Sequence, residues 1–233
     1  KETKDQYQTR LVIIDGVYSQ DGDLSLLPEI ISLCKTHEAM LMLDDAHGIG
    51  VMGANGRGTA EHFNCLGQVD IITGTFSKSF GCVGGFAAAS KKIIQYLKFY
   101  ADSNVFSAAP TPQVTASILK ALEIIKKEPA IRARLWENTD YLRSRLTTEG
   151  FDIGKSVSPI FPIMIRDNKK VYEIAKMLQE KGIFTIGIVY PAVRTKEARL
   201  RVSVLATHEH EQLDALINAL NDINKDIKIK KEQ

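Results

Sequence analysis

The sequence predicts an α/β chain: the back half of a large doubly wound sheet domain, followed by a smaller C-terminal α+β domain. Three observations carry that prediction. Leu11-Val12-Ile13-Ile14-Asp15 and Met40-Leu41-Met42-Leu43-Asp44 are short apolar runs of the length that suits buried parallel strands, with one helical segment between them. Two further strand candidates, at 71–75 and 85–89, flank a Gly- and Ser-rich turn. Beyond Pro110 and Pro112 the pattern changes to long amphipathic helices, then to alternating short strands and helices.

In order along the chain, the first helix rests on Leu26, Leu27, Ile30, Ile31, Leu33 and Cys34, which recur at helical spacing. Pro28 falls in its first turn, where a missing N–H costs nothing, and Ser25 is in position to cap it. This makes a βαβ unit. Val114, Ile118, Leu119, Leu122 and Ile125 mark one face of a later helix, and a second helix runs from Pro129 to about Thr148. The remainder reads as a strand over 161–165, a helix over 171–181, strands over 184–188 and 200–205, and a final helix over 209–224. The charged tail, 225–233, is expected to be frayed and solvated. The domain spans are 1–110 for the sheet domain and 111–233 for the small domain with its connecting helix. Because the first strand begins near residue 10 with no βα unit before it, further chain is expected upstream.

Composition narrows the function classes. Of 233 residues, 44% are hydrophobic, enough for a proper core. Thirty basic residues against twenty-eight acidic ones leave a formal charge of +2, too balanced to point to nucleic acid or an anionic membrane. Three cysteines, Cys34, Cys65 and Cys82, lack metal-ligand spacing and suit a reducing, cytoplasmic compartment. No apolar run approaches the roughly 20 residues of a membrane span, and the charged opening Lys1-Glu2-Thr3-Lys4-Asp5 has no signal-peptide core behind it.

Asp44, Asp45 and His47 stand where a strand ends and a loop begins, the edge at which open α/β sheets place ligands. Taken alone they also suit a metal site, or a turn cap with a satisfied histidine. Lys78 lies in Gly74-Thr75-Phe76-Ser77-Lys78-Ser79-Phe80-Gly81, followed by Gly84 and Gly85, where small residues let a planar cofactor approach the backbone. With no other charge between Asp70 and Ser90, partial burial is expected to lower its pKa and free the amine for imine formation. Thr75, Ser77 and Ser79 offer hydroxyls to a phosphate. An acid at one strand end and a lysine 34 positions later, beyond another strand, is what a pyridoxal 5′-phosphate (PLP) electron sink requires. The carboxylate keeps the pyridine nitrogen protonated, and the lysine holds the aldehyde carbon.

These segments resemble the α-oxoamine synthases, a branch of the fold-type I PLP-dependent transferases. The resemblance rests on Asp15-Gly16-Val17-Tyr18-Ser19-Gln20-Asp21-Gly22-Asp23, Leu43-Asp44-Asp45-Ala46-His47-Gly48 and Gly74 through Ser79. It extends through Asn55-Gly56-Arg57-Gly58, Phe106-Ser107-Ala108-Ala109-Pro110-Thr111-Pro112, Ser158-Pro159-Ile160 and Ala198-Arg199-Leu200-Arg201-Val202-Ser203, nearly the whole chain. It implies that Asp44 pairs with the pyridine nitrogen, His47 bonds the ring hydroxyl, Thr75 contacts the phosphate and Lys78 holds PLP as a Schiff base. Ser19 looks like another residue near the ring. Arg201 matches the arginine that binds the amino-acid carboxylate, a task for a planar bidentate donor. Arg199 is its competitor, and because side chains alternate along a strand, periodicity does not choose between them. Ala108 departs from the polar residue often found in the family at that position.

Thr-Phe-Ser-Lys-Ser and Phe-Ser-Ala-Ala-Pro-Thr-Pro look most like bacterial serine palmitoyltransferases. The expected activity is therefore decarboxylative condensation of an amino acid, L-serine favoured, with an acyl-CoA, palmitoyl-CoA favoured, giving a 3-keto amine as in the first step of sphingolipid synthesis. The 8-amino-7-oxononanoate synthases and 2-amino-3-ketobutyrate CoA ligases are the nearest alternatives. A non-catalytic scaffold subunit is an alternative of another class, and a metal-dependent hydrolase using Asp44, Asp45 and His47 is a third. The resemblance also implies a homodimer, and a glycine-rich acyl-chain segment and a ring-stacking histidine upstream of residue 1, so that this piece alone is expected to be inactive. Neither nucleic acid nor a membrane span is expected, although peripheral membrane contact remains compatible with a lipid substrate.

Overall fold

The computed structural model describes residues 7–230, so the charged opening and the last three residues of the tail lie outside it. Its secondary structure begins with β1 (Leu11–Asp15), α1 (Leu27–Thr36) and β2 (Met40–Asp44). There follow α2 (Thr59–His62), β3 (Ile71–Thr75), β4 (Gly85–Ala89), α3 (Lys91–Tyr100), α4 (Asp102–Val105) and α5 (Pro112–Lys127). The rest comprises α6 (Pro129–Thr148), β5 (Ile160–Met164), α7 (Asn168–Glu180), β6 (Ile186–Ile188), β7 (Arg199–Ser203) and α8 (His210–Asp226). These elements form two compact units. One takes the chain up to Tyr18 together with Leu24–Pro129; the other takes Ser19–Asp23 and everything from Ala130 onward.

The first unit is built on a four-stranded sheet in the order β1-β2-β3-β4. β1, β2 and β3 are parallel, with Asp15 level with Asp44 and Asp44 level with Thr73. β4 returns antiparallel to β3. Alternation along the strands sends Leu41 and Leu43 towards α1, where they join Leu27, Ile31 and Cys34 in a buried cluster. The opposite face carries Leu11, Ile13 and Asp15 of β1 with Met40, Met42 and Asp44 of β2. β1 was expected to be buried on both faces, but it pairs only with β2 among the described residues, and Ile13 is 61% exposed. α1 starts one residue later than its pattern suggests, at N-cap Leu26 with no side-chain cap. Ser25 does not cap it: its hydroxyl is buried without a partner.

The second unit has a three-stranded antiparallel sheet in the order β5-β7-β6. α6, α7 and α8 bury Leu142, Leu146, Ile174, Leu178, Ile217 and Leu220 against Phe161, Ile163 and Leu200 of that sheet. Because Leu200 and Val202 face this core, Arg199 and Arg201 lie on the other face of β7. The tail departs from expectation up to Lys230. Ile229 is buried, and Asn224 Oδ1 accepts from the backbone N–H groups of Ile229 and Lys230. The Lys230 ammonium bonds Asn221 and lies 4.6 Å from the Phe151 ring centre. Alternating apolar residues at Ile227 and Ile229 explain why this charged segment docks rather than frays.

Candidate active site

Asp44 ends β2 at the sheet edge where parallel strands leave their ligand-binding crevice. Its Oδ1 accepts from Ala46 N–H at 2.9 Å, a local turn that fixes the carboxylate, while Oδ2 has no hydrogen-bond partner among the described residues. Asp15, level with Asp44 on the neighbouring strand, senses the same region. Partial burial and the Asp44 charge push the Asp15 carboxyl above its ordinary value, and the Lys78 ammonium pulls it back. Asp44 closes β2 and Lys78 follows β3, at the same end of two neighbouring parallel strands. Asp15 closes β1 as Asp44 closes β2, and that shared position at a strand end is the sequence signal for it.

The turn after Asp44 is built around Asp45. Its backbone oxygen accepts from Gly48 N–H and Ile49 N–H at 3.0 Å each, a tight turn that holds His47, which is half-buried. The Asp45 side chain is 1% exposed, and its two oxygens accept from the Thr59 N–H at 2.7 Å and the Thr59 hydroxyl at 2.5 Å. Burial raises the Asp45 pKa, the Thr59 bonds oppose this, and Asp44 adds to it. Side chains at Gly16, Gly48 or Gly58 would collide with this carboxylate. Asp45 is thus enclosed and committed to Thr59, so the Asp44, Asp45 and His47 metal set does not assemble. Among the described residues no group of three or more His, Cys, Asp or Glu side chains is disposed to hold a metal ion.

Lys78 sits in the loop joining β3 to β4. Phe76 N–H donates to Gly84 O and Cys82 N–H to Phe76 O, closing the loop, and Gly81 N–H donates to Lys78 O at 3.0 Å. Packing of Phe76 against Phe80 and Phe86 supports it from within the unit. Lys78 itself is exposed, contrary to the expected partial burial, because its neighbours Ser77 and Ser79 are small and exposed as well. The Thr75 and Ser77 hydroxyls lie 2.8 Å apart, and Thr75 Oγ1 also accepts from Ser77 N–H. Ser79, expected as a third phosphate hydroxyl, instead donates to Ile49 O at 2.7 Å and joins the Lys78 loop to the His47 turn.

The other two expected residues belong to the second unit. Arg201 Nε donates to the Ser19 carbonyl oxygen at 2.6 Å and Nη1 to Ser203 Oγ at 2.9 Å. Its Nη2 has no hydrogen-bond partner among the described residues, and burial lowers its pKa from a value far above neutrality. Arg199 is different: 3% exposed, it bonds Glu197 O, Gln20 O and the Asp21 carboxylate. Arg199 is buried and ion-paired within its own unit, whereas Arg201 is the more accessible of the two. Ser19 contributes a backbone carbonyl that sequence reasoning did not anticipate.

The residues of the first unit fit PLP. Asp44 Oδ2 is the acceptor a protonated ring nitrogen needs, His47 a partner for the ring hydroxyl, the Thr75 and Ser77 hydroxyls donors for a phosphate, and Lys78 an amine for the aldehyde carbon. The three cysteines are free thiols.

The family model for aminotransferase class I and II matches residues 1–220. A serine palmitoyltransferase from Sphingobacterium spiritivorum is 44% identical over 220 residues, covering 94% of this chain and 55% of that protein. An 8-amino-7-oxononanoate synthase from Thermoanaerobacter pseudethanolicus is 42% identical over 229 residues, covering 98% and 58%. Among solved structures, a serine palmitoyltransferase from S. paucimobilis with a bound PLP–myriocin aldimine superposes with a TM-score of 0.91 at 28% identity, covering 98% of this chain and 58% of that one. The chain therefore spans little more than half the length of these relatives. It has the fold of the fold-type I PLP-dependent transferases, and it belongs to the aminotransferase class I and II family.

Proposed function

We propose that the protein condenses an amino acid with an acyl-CoA, losing carbon dioxide and CoA to give a 3-keto amine, with L-serine and palmitoyl-CoA as substrates. The observation that supports this reading is the parallel register of β2 and β3, which sets Asp44 level with Thr73, so that Asp44 and the loop carrying Lys78 follow the same end of neighbouring strands. When bound, PLP supplies an electron sink for the pair of electrons left on the amino acid's Cα. The chain's own residues supply the rest. Asp44 holds a proton on the ring nitrogen through Oδ2, and the Thr75 and Ser77 hydroxyls anchor the phosphate. Arg201 would hold the amino-acid carboxylate, and the Lys78 amine would take the Cα proton as general base. A non-catalytic scaffold would have no use for this set.

The choice of serine follows from the Thr75 to Ser79 and Phe106 to Pro112 motifs. A second reading, condensation of alanine with pimeloyl-CoA, is favoured by the near-equal identity to 8-amino-7-oxononanoate synthases. Product analysis separates the two. The full-length PLP-loaded protein, given serine with palmitoyl-CoA or alanine with pimeloyl-CoA, is expected to release CoA rapidly only with the first pair and to yield 3-ketodihydrosphingosine. Preferential turnover of the second pair would replace this reading with the other.

We propose further that the protein works as a cytoplasmic homodimer. Among the described residues no helix is long and apolar enough to cross a membrane. Phe99, Tyr100 and Phe106 in the first unit are 77%, 70% and 85% exposed, an apolar surface suited to a second copy. Sedimentation of the full-length protein is expected to give a dimer, and a monomer at micromolar concentration would refute that part.

A further inference from the structure

Two arginines stand two positions apart on one face of β7, but Arg199 is almost wholly buried and Arg201 is only half-buried. The segment Ser19–Asp23 runs over them, Ser19 at Arg201 and Gln20 with Asp21 at Arg199. Each end of that segment is fixed by a different strand neighbour. Gly22 adopts φ +69° and packs so closely on the Ile160 carbonyl that a Cβ would collide with it, while Gly22 O accepts from Val157 N–H at 3.1 Å. Between these anchors lies the one ion pair in the segment, joining Asp21, half-exposed, to Arg199, which is almost wholly buried.

We infer that Asp21 and Arg199 form a positioning pair for Arg201, locking the Ser19–Asp23 segment onto β7 so that the Ser19 carbonyl holds the Arg201 guanidinium in its carboxylate-binding orientation. The inference rests on the proposal that Arg201 binds the amino-acid carboxylate. A guanidinium bonded at Nε and Nη1 has its plane defined, and its remaining Nη donors then point in one direction. The Nε bond depends on where the Ser19 carbonyl lies. Two bonds from Arg199, to Gln20 O and to the Asp21 carboxylate, set the path of the chain immediately after it. Arg199 is itself aligned by its Nε bond to Glu197 O at 2.7 Å. Without Asp21 the Arg199 charge is left buried beside carbonyls alone, and the segment loses the contact that specifies its register over β7. Asp21 touches neither substrate nor cofactor in this scheme. Its effect reaches the reaction only through Arg201.

The test uses two amines that differ only in the carboxylate, L-serine and ethanolamine, titrated into the full-length PLP-loaded protein and followed by the visible spectrum. Asp21→Asn is expected to weaken serine about tenfold and to leave ethanolamine within about twofold of the parent, since misplacing a positioning group acts on the contact it positions. Arg201→Lys should do the same more strongly, and adding Asp21→Asn to it should weaken serine no further. Equal loss for both amines, no loss for either, or an additive double variant overturns the pairing. If Asp21→Asn does not fold, Asp21→Glu, which keeps the charge on Arg199, is expected to give a smaller loss still confined to serine, and an equal loss for the two amines overturns the pairing there too. Should Arg201→Lys itself fail to separate serine from ethanolamine, it is the carboxylate-binding reading of Arg201 that falls.

Discussion

The Ser79 hydroxyl donates to the Ile49 carbonyl oxygen at 2.7 Å, joining the loop that carries Lys78 to the turn that carries His47. Thirty residues separate these positions, and Gly50, at φ +82°, passes so near that a Cβ would stand 2.6 Å from the Ser79 Cβ and Oγ. The two segments are therefore fastened by one polar contact and one close approach.

Breaking the fastening should loosen both segments. Ser79→Ala in the full-length protein is expected to cost about 1 kcal/mol, the usual worth of one hydrogen bond, and to weaken PLP retention during dialysis. Gly50→Ala should cost about 3 kcal/mol, because it combines strain at positive φ with a collision against the Ser79 side chain. Chemical denaturation ranks the two, and a Gly50→Ala variant as stable as the parent would show that the segments are not in contact.

The enclosed Asp45 makes a separate prediction. Asp45→Ala leaves the Thr59 N–H without an acceptor inside a glycine-lined space and is expected to cost about 3 kcal/mol. Asp45→Asn can still accept from Thr59 N–H and donate to the Thr59 hydroxyl, so its cost should be about 1 kcal/mol. Equal costs would mean that the charge, rather than the hydrogen bonds, holds the turn.

Acid stability depends on Glu61. Burial alone would raise its carboxyl, but hydrogen bonds from the Asn55 side chain, Arg57 N–H and Asn55 N–H outweigh that and hold it below its ordinary value of 4.5. In the unfolded chain the group therefore takes its proton at a higher pH than in the folded one. Its stabilisation is present in full above about pH 4.5 and is lost as pH falls through the lowered folded value. Glu61→Gln should flatten the fall of melting temperature with acidity below that pH. An unchanged slope would show that the Asn55–Gly58 loop is not held by this carboxylate.

Much of the first unit was legible because β1 and β2 are apolar runs closed by Asp, and the apolar residues of α1 and α5 recur at helical spacing. Asp44, His47 and Lys78 stood out because chemistry-bearing residues followed strand ends. What sequence could not tell had physical causes. α3 escaped because its apolar residues, among them Phe99 and Tyr100, contribute no buried position, so no core required them. Arg199 and Arg201 share one strand face and differ only in partners some 180 positions away, the Ser19–Asp23 segment. That segment joins the second unit from between two stretches of the first, and nothing in five local residues signals such a crossing. Lys78 is exposed although no other charge lies near it in sequence, because its small neighbours Ser77 and Ser79 leave the side chain uncovered.

The claim that Lys78 is the cofactor-bearing amine is tested most directly by chemistry on the residue itself. The full-length protein is loaded with PLP, reduced with borohydride, digested and mapped by mass spectrometry. The account predicts a pyridoxyl group on the peptide containing Lys78, and its disappearance in Lys78→Ala. A reduced adduct on any other lysine, or on none, would contradict it.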